Sequence, residues 1–543
     1  MKNVAGISIL LVLLALALGY QAKHVGLTVD EPSHFAAAFA YWLGKDNLQP
    51  SDAPPLTRAI SGWAPLILGA PDPRLSKNWR SRDAYLIGLE ILNTPHIRAR
   101  RILFYTRLSF ILFPLGIVWL IWRWARQLFS ESTALLLAAF TALEPSLLGH
   151  GAIIKSDVPA AFCALLFTYN AWLYLKLPTL KRMFCLTLAA SLAAVTKFTL
   201  LPLVLIAITL ALWKGPRLPA VAIPVFVYGS ILAISQFQAS PISLSDQARF
   251  EGAGVPDWAM NWAGQLARIP WPQQFVNGLI YIGGSLHAPG FAGYMLGRRT
   301  LAWDPFYFLL CFAIKFPIPL QVLTLAGIGV SINRLRKGTA TAADAIIWGA
   351  SALFIASAVC SNFHIGFRHV FPALPFLILG SGFAVEHLWR SRLTKSALLA
   401  CFAFLAISSL RTFPNGISYF NEWVGGSNEG WRYLADSNID WGQNYPELAV
   451  FLRTHPQEPI NAILFSFDNI KNYTQYGSLL SPSLPKESSP VSCYRPKKGL
   501  HAISVNFLTG LLLPVDQQDY FAAFRSKRPI ARIGYSILIY RIP

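Results

Sequence analysis

Residues 4–21 read VAGISILLVLLALALGYQ, a run without a single charged side chain. About 20 helical residues cross the hydrocarbon of a bilayer, so this run is long enough to span one. Within ten residues it is followed by a dense polar cluster, Asp30-Glu31-Pro32-Ser33-His34. A retained helix that holds the cluster at the membrane surface explains this pairing better than a cleaved leader does. Working outward, comparable apolar runs fall near 102–122, 132–148, 158–175, 183–197, 198–213, 218–237, 314–332, 342–361, 367–387 and 395–412. The fifth and sixth spans are nearly continuous and separate only around Lys197 and Pro202. Composition agrees: 54% of residues are hydrophobic and 13% charged, where a soluble domain carries about 25% charge.

The joins between runs set the topology. Arg123/Arg126, Lys176/Lys181/Arg182, Lys214/Arg217, Arg334/Arg336/Lys337 and Arg390/Arg392/Lys395 occupy alternate short loops, against the single acid Glu131. Basic residues in short loops stay on the cytoplasmic side, which places the N-terminus inside and the C-terminus outside. Three large segments then face outward, 22–101, 238–313 and 413–543, and the cytoplasmic side is almost bare. Much of the net charge of +20 sits in these loop clusters, with no basic face of the kind that binds nucleic acid. The expected fold is an all-α polytopic membrane protein of about eleven helices (residues 1–412). A small C-terminal α/β extracytoplasmic domain (413–543) follows, read from apolar runs at Ala462–Phe467, Ala502–Phe507 and Ile537–Tyr540 and a helical pattern at Tyr445–Leu452. Five cysteines lie in or beside apolar runs and Cys493 stands alone, with no metal-ligand or disulfide spacing.

Candidate chemistry collects at the outer helix ends. Asp30 suits a helix cap and Pro32 a first turn, but two adjacent acids with His34 exceed what a cap requires, and Glu31 and His34 can share a face. Asp157, in Lys155-Ser156-Asp157-Val158-Pro159, heads the fourth span. Capping explains it too, yet charge at membrane depth usually faces a protein cavity. Lys315, Lys197, Arg368 and His369 add cations on the same side, suited to an anion such as phosphate. Asp157 with Asp30 offers oxygen ligands for Mg²⁺ or Mn²⁺. The run 436–443, Asp-Ser-Asn-Ile-Asp-Trp-Gly-Gln, reads either as a turn or as an acceptor-side element in which Trp441, with Trp431, stacks on a sugar. Trp258, Trp262, Trp271 and Trp303 read as an interfacial belt.

With DEPSH (30–34), KSDVPAAF (155–162), TKFTLLPL (196–203), HAPGFAGYMLG (287–297), KFPIPL (315–320), FRHVFPALPFL (367–377), YFNEWVGG (419–426) and DSNIDWGQNYPELA (436–449) in this order, the chain resembles the polyprenyl-phosphate-sugar-dependent glycosyltransferases of the C-type superfold. It is most similar to the protein O-mannosyltransferases and their bacterial relatives, which include the aminoarabinose transferases. That resemblance covers residues 1 to about 455 and implies inverting transfer of a sugar from a lipid-linked phosphate to an acceptor hydroxyl of a protein, lipid or glycan, at the periplasmic side of a bacterial inner membrane. It implies Asp30 as the catalytic base with Glu31 and His34 beside it. Asp157 becomes an acceptor- or metal-linked acid, and Lys315, Arg368, His369 and Lys197 become donor-phosphate ligands. The chain lacks the MIR-type repeats of the eukaryotic enzymes. Two other readings are a transporter or flippase of a lipid-linked sugar and a non-catalytic scaffold of a glycan-assembly system. A transporter places polar groups at mid-depth, often between paired repeats, whereas here they sit at helix ends.

Overall fold

The structure is a computed structural model and describes residues 2–44, 48, 53–93, 97–215, 217–243, 269–287, 293–300, 303–456, 458–466, 468–474, 479–482, 484, 485 and 493–543. Each of the expected apolar runs coincides with helix. Among the described residues, seven helical spans are both long and apolar enough to cross a membrane: Val4–His24, Ala99–Ala125, Asp157–Lys176, Ile318–Arg336, Ala342–Val359, Phe367–Leu388 and Arg392–Thr412. Shorter apolar helices at Glu131–Ala142, Phe198–Lys214, Ala220–Ile234 and Phe306–Lys315 pack among them. Prolines account for several departures from the sequence reading. The run expected to begin at 314 instead starts a helix at Phe306 that stops at Lys315, and Pro317 caps a second helix, Ile318–Arg336. Proline lacks the amide a continuing helix needs and disfavours helix in the residue before it. Around Pro372 the chain runs as a 3₁₀ turn, Phe367–Ala373, before the helix Leu374–Leu388.

The helices share one apolar core. It joins Leu14 and Leu18 of the first helix to Val118, Ile121, Leu137, Phe167, Phe371, Phe376 and Leu379. Between the first two spans, short helices fold over one end of the bundle. Glu31–Trp42 packs on Ala84–Leu92 around Phe35, Phe39, Ile87 and Ile91. These side chains recur at helical spacing on one face of each element, which is why both dock rather than float.

After Thr412 the chain forms a small sheet. Its strands, β3 (Ile460–Ile463), β4 (Leu479–Leu480), β5 (Gly499–Ser504), β6 (Ala531–Ile533) and β7 (Ile537–Ile542), follow a hairpin of β1 (Gly293–Met295) and β2 (Arg298–Thr300). The sheet order is β4-β3-β5-β7-β6, with β3 parallel to both β4 and β5, and β7 antiparallel to β5 and β6. Leu448 and Leu452 of the helix Tyr445–Thr454 close its apolar face against Ile460, Leu500 and Ile539. β3, β5 and β7 overlap the three apolar runs read from the sequence, and the helix covers the helical pattern. β4 and β6 fall on no run read there, and Val505–Leu508, at the end of the second run, is helical. Trp258 and Trp262 lie outside the described residues. Trp303 is exposed and donates to the Val359 carbonyl at 2.7 Å.

Candidate active site

Asp30 occupies the cap position of the helix Glu31–Trp42, with Pro32 in its first turn, but its carboxylate makes no capping bond. Oδ2 meets Lys155 Nζ at 3.0 Å and Arg368 Nη1 at 3.2 Å instead. Asp157 opens the helix Asp157–Lys176 and likewise turns away from the helix end. Its Oδ1 accepts from Lys197 Nζ at 2.5 Å and its Oδ2 from Arg368 Nη1 at 3.3 Å. One guanidinium nitrogen therefore bridges two carboxylates from distant helices, and each carboxylate keeps a lysine of its own. His34, on the same helix as Asp30, takes a 2.8 Å contact from Lys155 Nζ at its Nε2. An ammonium only donates, so that nitrogen is the unprotonated one.

These groups line a cavity of about 450 Å³ together with Thr199, Tyr281 and His369. His369 stacks on Phe363 with ring centroids 5.8 Å apart. Asp30 is the accessible acid, its side chain 28% exposed where Asp157 is 3% exposed. Burial raises the Asp30 carboxyl, but the charges of Lys155 and Arg368 beside it outweigh burial and hold it at about 2. Nearby Asp436 is pushed up to about 6, chiefly by burial. Three permanent cations and two carboxylates line the cavity, a surplus of one positive charge.

Several expected site residues are placed elsewhere. Glu31 does not line the cavity: it is fully buried and paired with Arg107 Nη2 at 2.5 Å. It also accepts from Thr28 N at 2.9 Å, Thr28 Oγ1 at 3.1 Å and Ile154 N at 3.2 Å. Its lone pairs are taken, and no substrate proton can reach them. Consecutive residues at a helix start point about 100° apart, so only one of the adjacent acids faces the cavity. Lys315 does not hold a cavity anion either. Its buried ammonium donates to the Ile417 carbonyl at 3.0 Å and to the Asn438 carbonyl, over the Phe420 ring. Trp431 and Trp441 are 4% and 2% exposed, too enclosed to stack on a sugar. Trp441 lies against the Arg368 guanidinium at 4.2 Å.

The donor set does not fit a divalent cation. The position between Asp30 and Asp157 is filled by the Arg368 guanidinium, and two lysines take the remaining carboxylate contacts. Among the described residues no three His, Cys, Asp or Glu side chains stand where they could hold one metal ion. Lys155 and Arg107 were missed from the sequence. Lys155 was legible in principle, since it precedes Asp157 as one of the few lysines at an outer helix end.

Residues 102–240 match the family model described as dolichyl-phosphate-mannose-protein mannosyltransferase. No curated protein matches the chain. Among solved structures, the oligosaccharyltransferase of Archaeoglobus fulgidus in the apo form is similar at 14% identity and a TM-score of 0.43 over 75% of this chain. AglB from the same organism, in complex with an inhibitory peptide and a dolichol-phosphate, is similar at 11% identity and 0.44 over 83%. This chain spans 54% and 58% of the length of those two. ArnT from Cupriavidus metallidurans in the apo state is similar at 12% identity and 0.33, over 99% of this chain and 98% of that one. The segment 102–240, the stretch similar to the dolichyl-phosphate-mannose-protein mannosyltransferase model, contributes Lys155, Asp157 and Lys197 to the cavity.

Proposed function

We propose that this chain is a membrane glycosyltransferase that moves a sugar from a polyprenyl-phosphate-linked donor to an acceptor hydroxyl on the outer face. The observation that carries this reading is the junction of Asp30, Asp157 and Arg368 in one cavity with a single surplus positive charge. A sugar joined to a lipid through one phosphate is a phosphodiester with one negative charge, which that surplus neutralises. Lys155, Lys197 and Arg368 hold the phosphate as a fork and two point charges. Asp30 accepts the proton of the acceptor hydroxyl as its oxygen attacks the anomeric carbon. The carbon–oxygen bond to phosphate breaks on the opposite side, so configuration inverts, and the departing phosphate gains a second negative charge that the same cations stabilise. His34 orients Lys155, Asp157 orients Lys197 and Arg368, and His369 flanks the phosphate. The family description names a donor of this kind, a mannose on a lipid monophosphate. The sidedness rests on the basic loops, which place these helix ends outside.

The test is turnover by the purified full-length chain. A radiolabelled polyprenyl-phosphate sugar is supplied with peptide, lipid and glycan acceptors, and acceptor-dependent release of polyprenyl phosphate is measured. Arg368→Gln is expected to lower kcat/KM for the donor by roughly 10²–10³-fold, the size of losing one preorganised donor to a developing anion. Donor that stays intact with every acceptor class favours transport or scaffolding.

A pH dependence follows from the shared cations. In the free protein Asp30 is ionised down to about pH 2. Bound phosphate draws on Lys155 and Arg368, so the carboxyl rises toward the ordinary Asp value of about 3.9 or beyond. Only the ionised form accepts a proton, so activity falls as pH drops through this group. In an Asp436→Asn background, which removes the neighbouring carboxyl, the acid limb of kcat should therefore lie at higher pH than that of kcat/KM. Coincident limbs would contradict this coupling.

A further inference from the structure

The turn 436–443 does not line the cavity, yet it touches both of the segments that supply the cavity's key groups. Toward Arg368, Ser437 Oγ accepts from Nε at 3.1 Å and donates to the Ile365 carbonyl. The Trp441 ring supports the guanidinium face at 4.2 Å. Asn438 Oδ1 accepts from the Phe367 amide at 2.9 Å. Toward Asp30, the amides of Gly26 and Val29 donate to the carbonyls of Gln443 and Trp441 at 2.7 and 2.9 Å. The approach is so close that side chains are excluded on both flanks. A Cβ on Gly366 would sit 2.3 Å from Ser437 Oγ, and one on Gly26 would sit 2.7 Å from the Gln443 carbonyl.

The turn is itself fixed from two directions. Asn438 Nδ2 donates to the Tyr307 hydroxyl at 2.8 Å and its carbonyl accepts from Lys315, both on the helix Phe306–Lys315. On the other side lies the C-terminal sheet. Ser504, the last residue of β5, donates to the Asp440 carboxylate. Asn506 accepts from the Asp436 amide at 2.7 Å and donates to the Asp440 carbonyl at 3.0 Å. Apart from the Trp441 ring contact, every link is a hydrogen bond between groups buried or half-buried, where it is hard to exchange for water. The sheet thereby serves as the far anchor of a bracket whose near end holds Asp30 and Arg368 at bonding distance.

We infer that Ser437 and Trp441 are positioning residues for Arg368, and that the C-terminal sheet region is a structural part of the reaction site through the turn it carries. This rests on the reading of the cavity as a phosphate-sugar site, since it assigns Arg368 the donor's phosphate. A guanidinium that pivots away from the phosphate costs donor affinity and transition-state stabilisation together. Misplacements on the scale of 1 Å cost of order 10- to 100-fold in rate. The acceptor, which meets Asp30, is affected less.

The experiment compares the full-length protein with Ser437→Ala, Trp441→Leu and Trp441→Phe, each alone and combined with Arg368→Gln. Donor KM, acceptor KM, kcat and the affinity for polyprenyl phosphate are measured, with thermal unfolding alongside. Expected are a raised donor KM and a lowered kcat in Ser437→Ala and Trp441→Leu at unchanged acceptor KM. Trp441→Phe, which keeps an aromatic face for the guanidinium, should recover most of the loss. In the Arg368→Gln background the same substitutions should add nothing, because residues acting through one group are not additive. Full additivity in that background overturns the inference, as does wild-type donor KM and phosphate affinity in both single variants. Polyprenyl phosphate binding reads the bracket without turnover, so absent wild-type transfer with a Ser437-dependent affinity would sink the transferase reading and leave the positioning role intact.

Discussion

Asp30→Asn is expected to lower kcat by roughly 10²–10⁴-fold, the usual contribution of a placed general base, without weakening donor binding. The substitution keeps the shape of the side chain and its contacts with Lys155 and Arg368 but removes the oxygen charge that takes the proton. It also raises the cavity's surplus from one positive charge to two, so affinity for the phosphodiester holds or increases. Turnover under saturating donor and acceptor, with a direct binding measurement, separates the two effects. Undiminished kcat removes Asp30 as the base, and lost binding with normal kcat would recast it as a donor ligand. The neighbouring acid should behave differently, because Glu31 lies behind the cavity with Arg107 and takes no part in proton transfer.

Arg107→Ala is expected to destabilise the protein by about 3–5 kcal/mol, the cost of leaving one member of a buried ion pair alone. Arg107 is fully buried, and beyond Glu31 it donates to the carbonyls of Ala22, Val25 and Gly26 at 3.1, 2.8 and 2.7 Å. It thus ties the end of the first helix to the start of the next, and the substitution strands a carboxylate and three carbonyls at once. Glu31→Gln should cost less, because a neutral amide still accepts from Thr28 and Arg107. Thermal unfolding in detergent checks the order. An Arg107→Ala protein as stable as the parent would mean that water reaches Glu31.

Much of this arrangement was legible in the sequence because membrane proteins spend charge sparingly. Asp30, Asp157, Lys197 and Arg368 stand at the ends of apolar runs, where an unpaired charge is expensive, and the structure pairs all four. The failures share a cause. Lys315 in Ala-Ile-Lys-Phe-Pro looks like Arg368 in Gly-Phe-Arg-His-Val, but its partners are backbone carbonyls at Ile417 and Asn438, about a hundred residues on. Carbonyls leave no mark in sequence. Glu31 could not be told from Asp30 because both lie in one dipeptide, and which of them faces the cavity depends on the helix rotation set by Phe35 and Phe39 in the core. Trp441 looked like a sugar platform because an aromatic side chain supports an arginine and a pyranose ring equally well; the packing of the 436–443 turn decides for the arginine.

The most direct test is a structure of the full-length protein with polyprenyl phosphate bound. The phosphate is expected between Arg368, Lys197 and Lys155, within hydrogen-bond distance of the guanidinium and beside a still ordered Asp30. A phosphate seated at Lys315, or among the basic residues at the other end of the helices, would contradict the account.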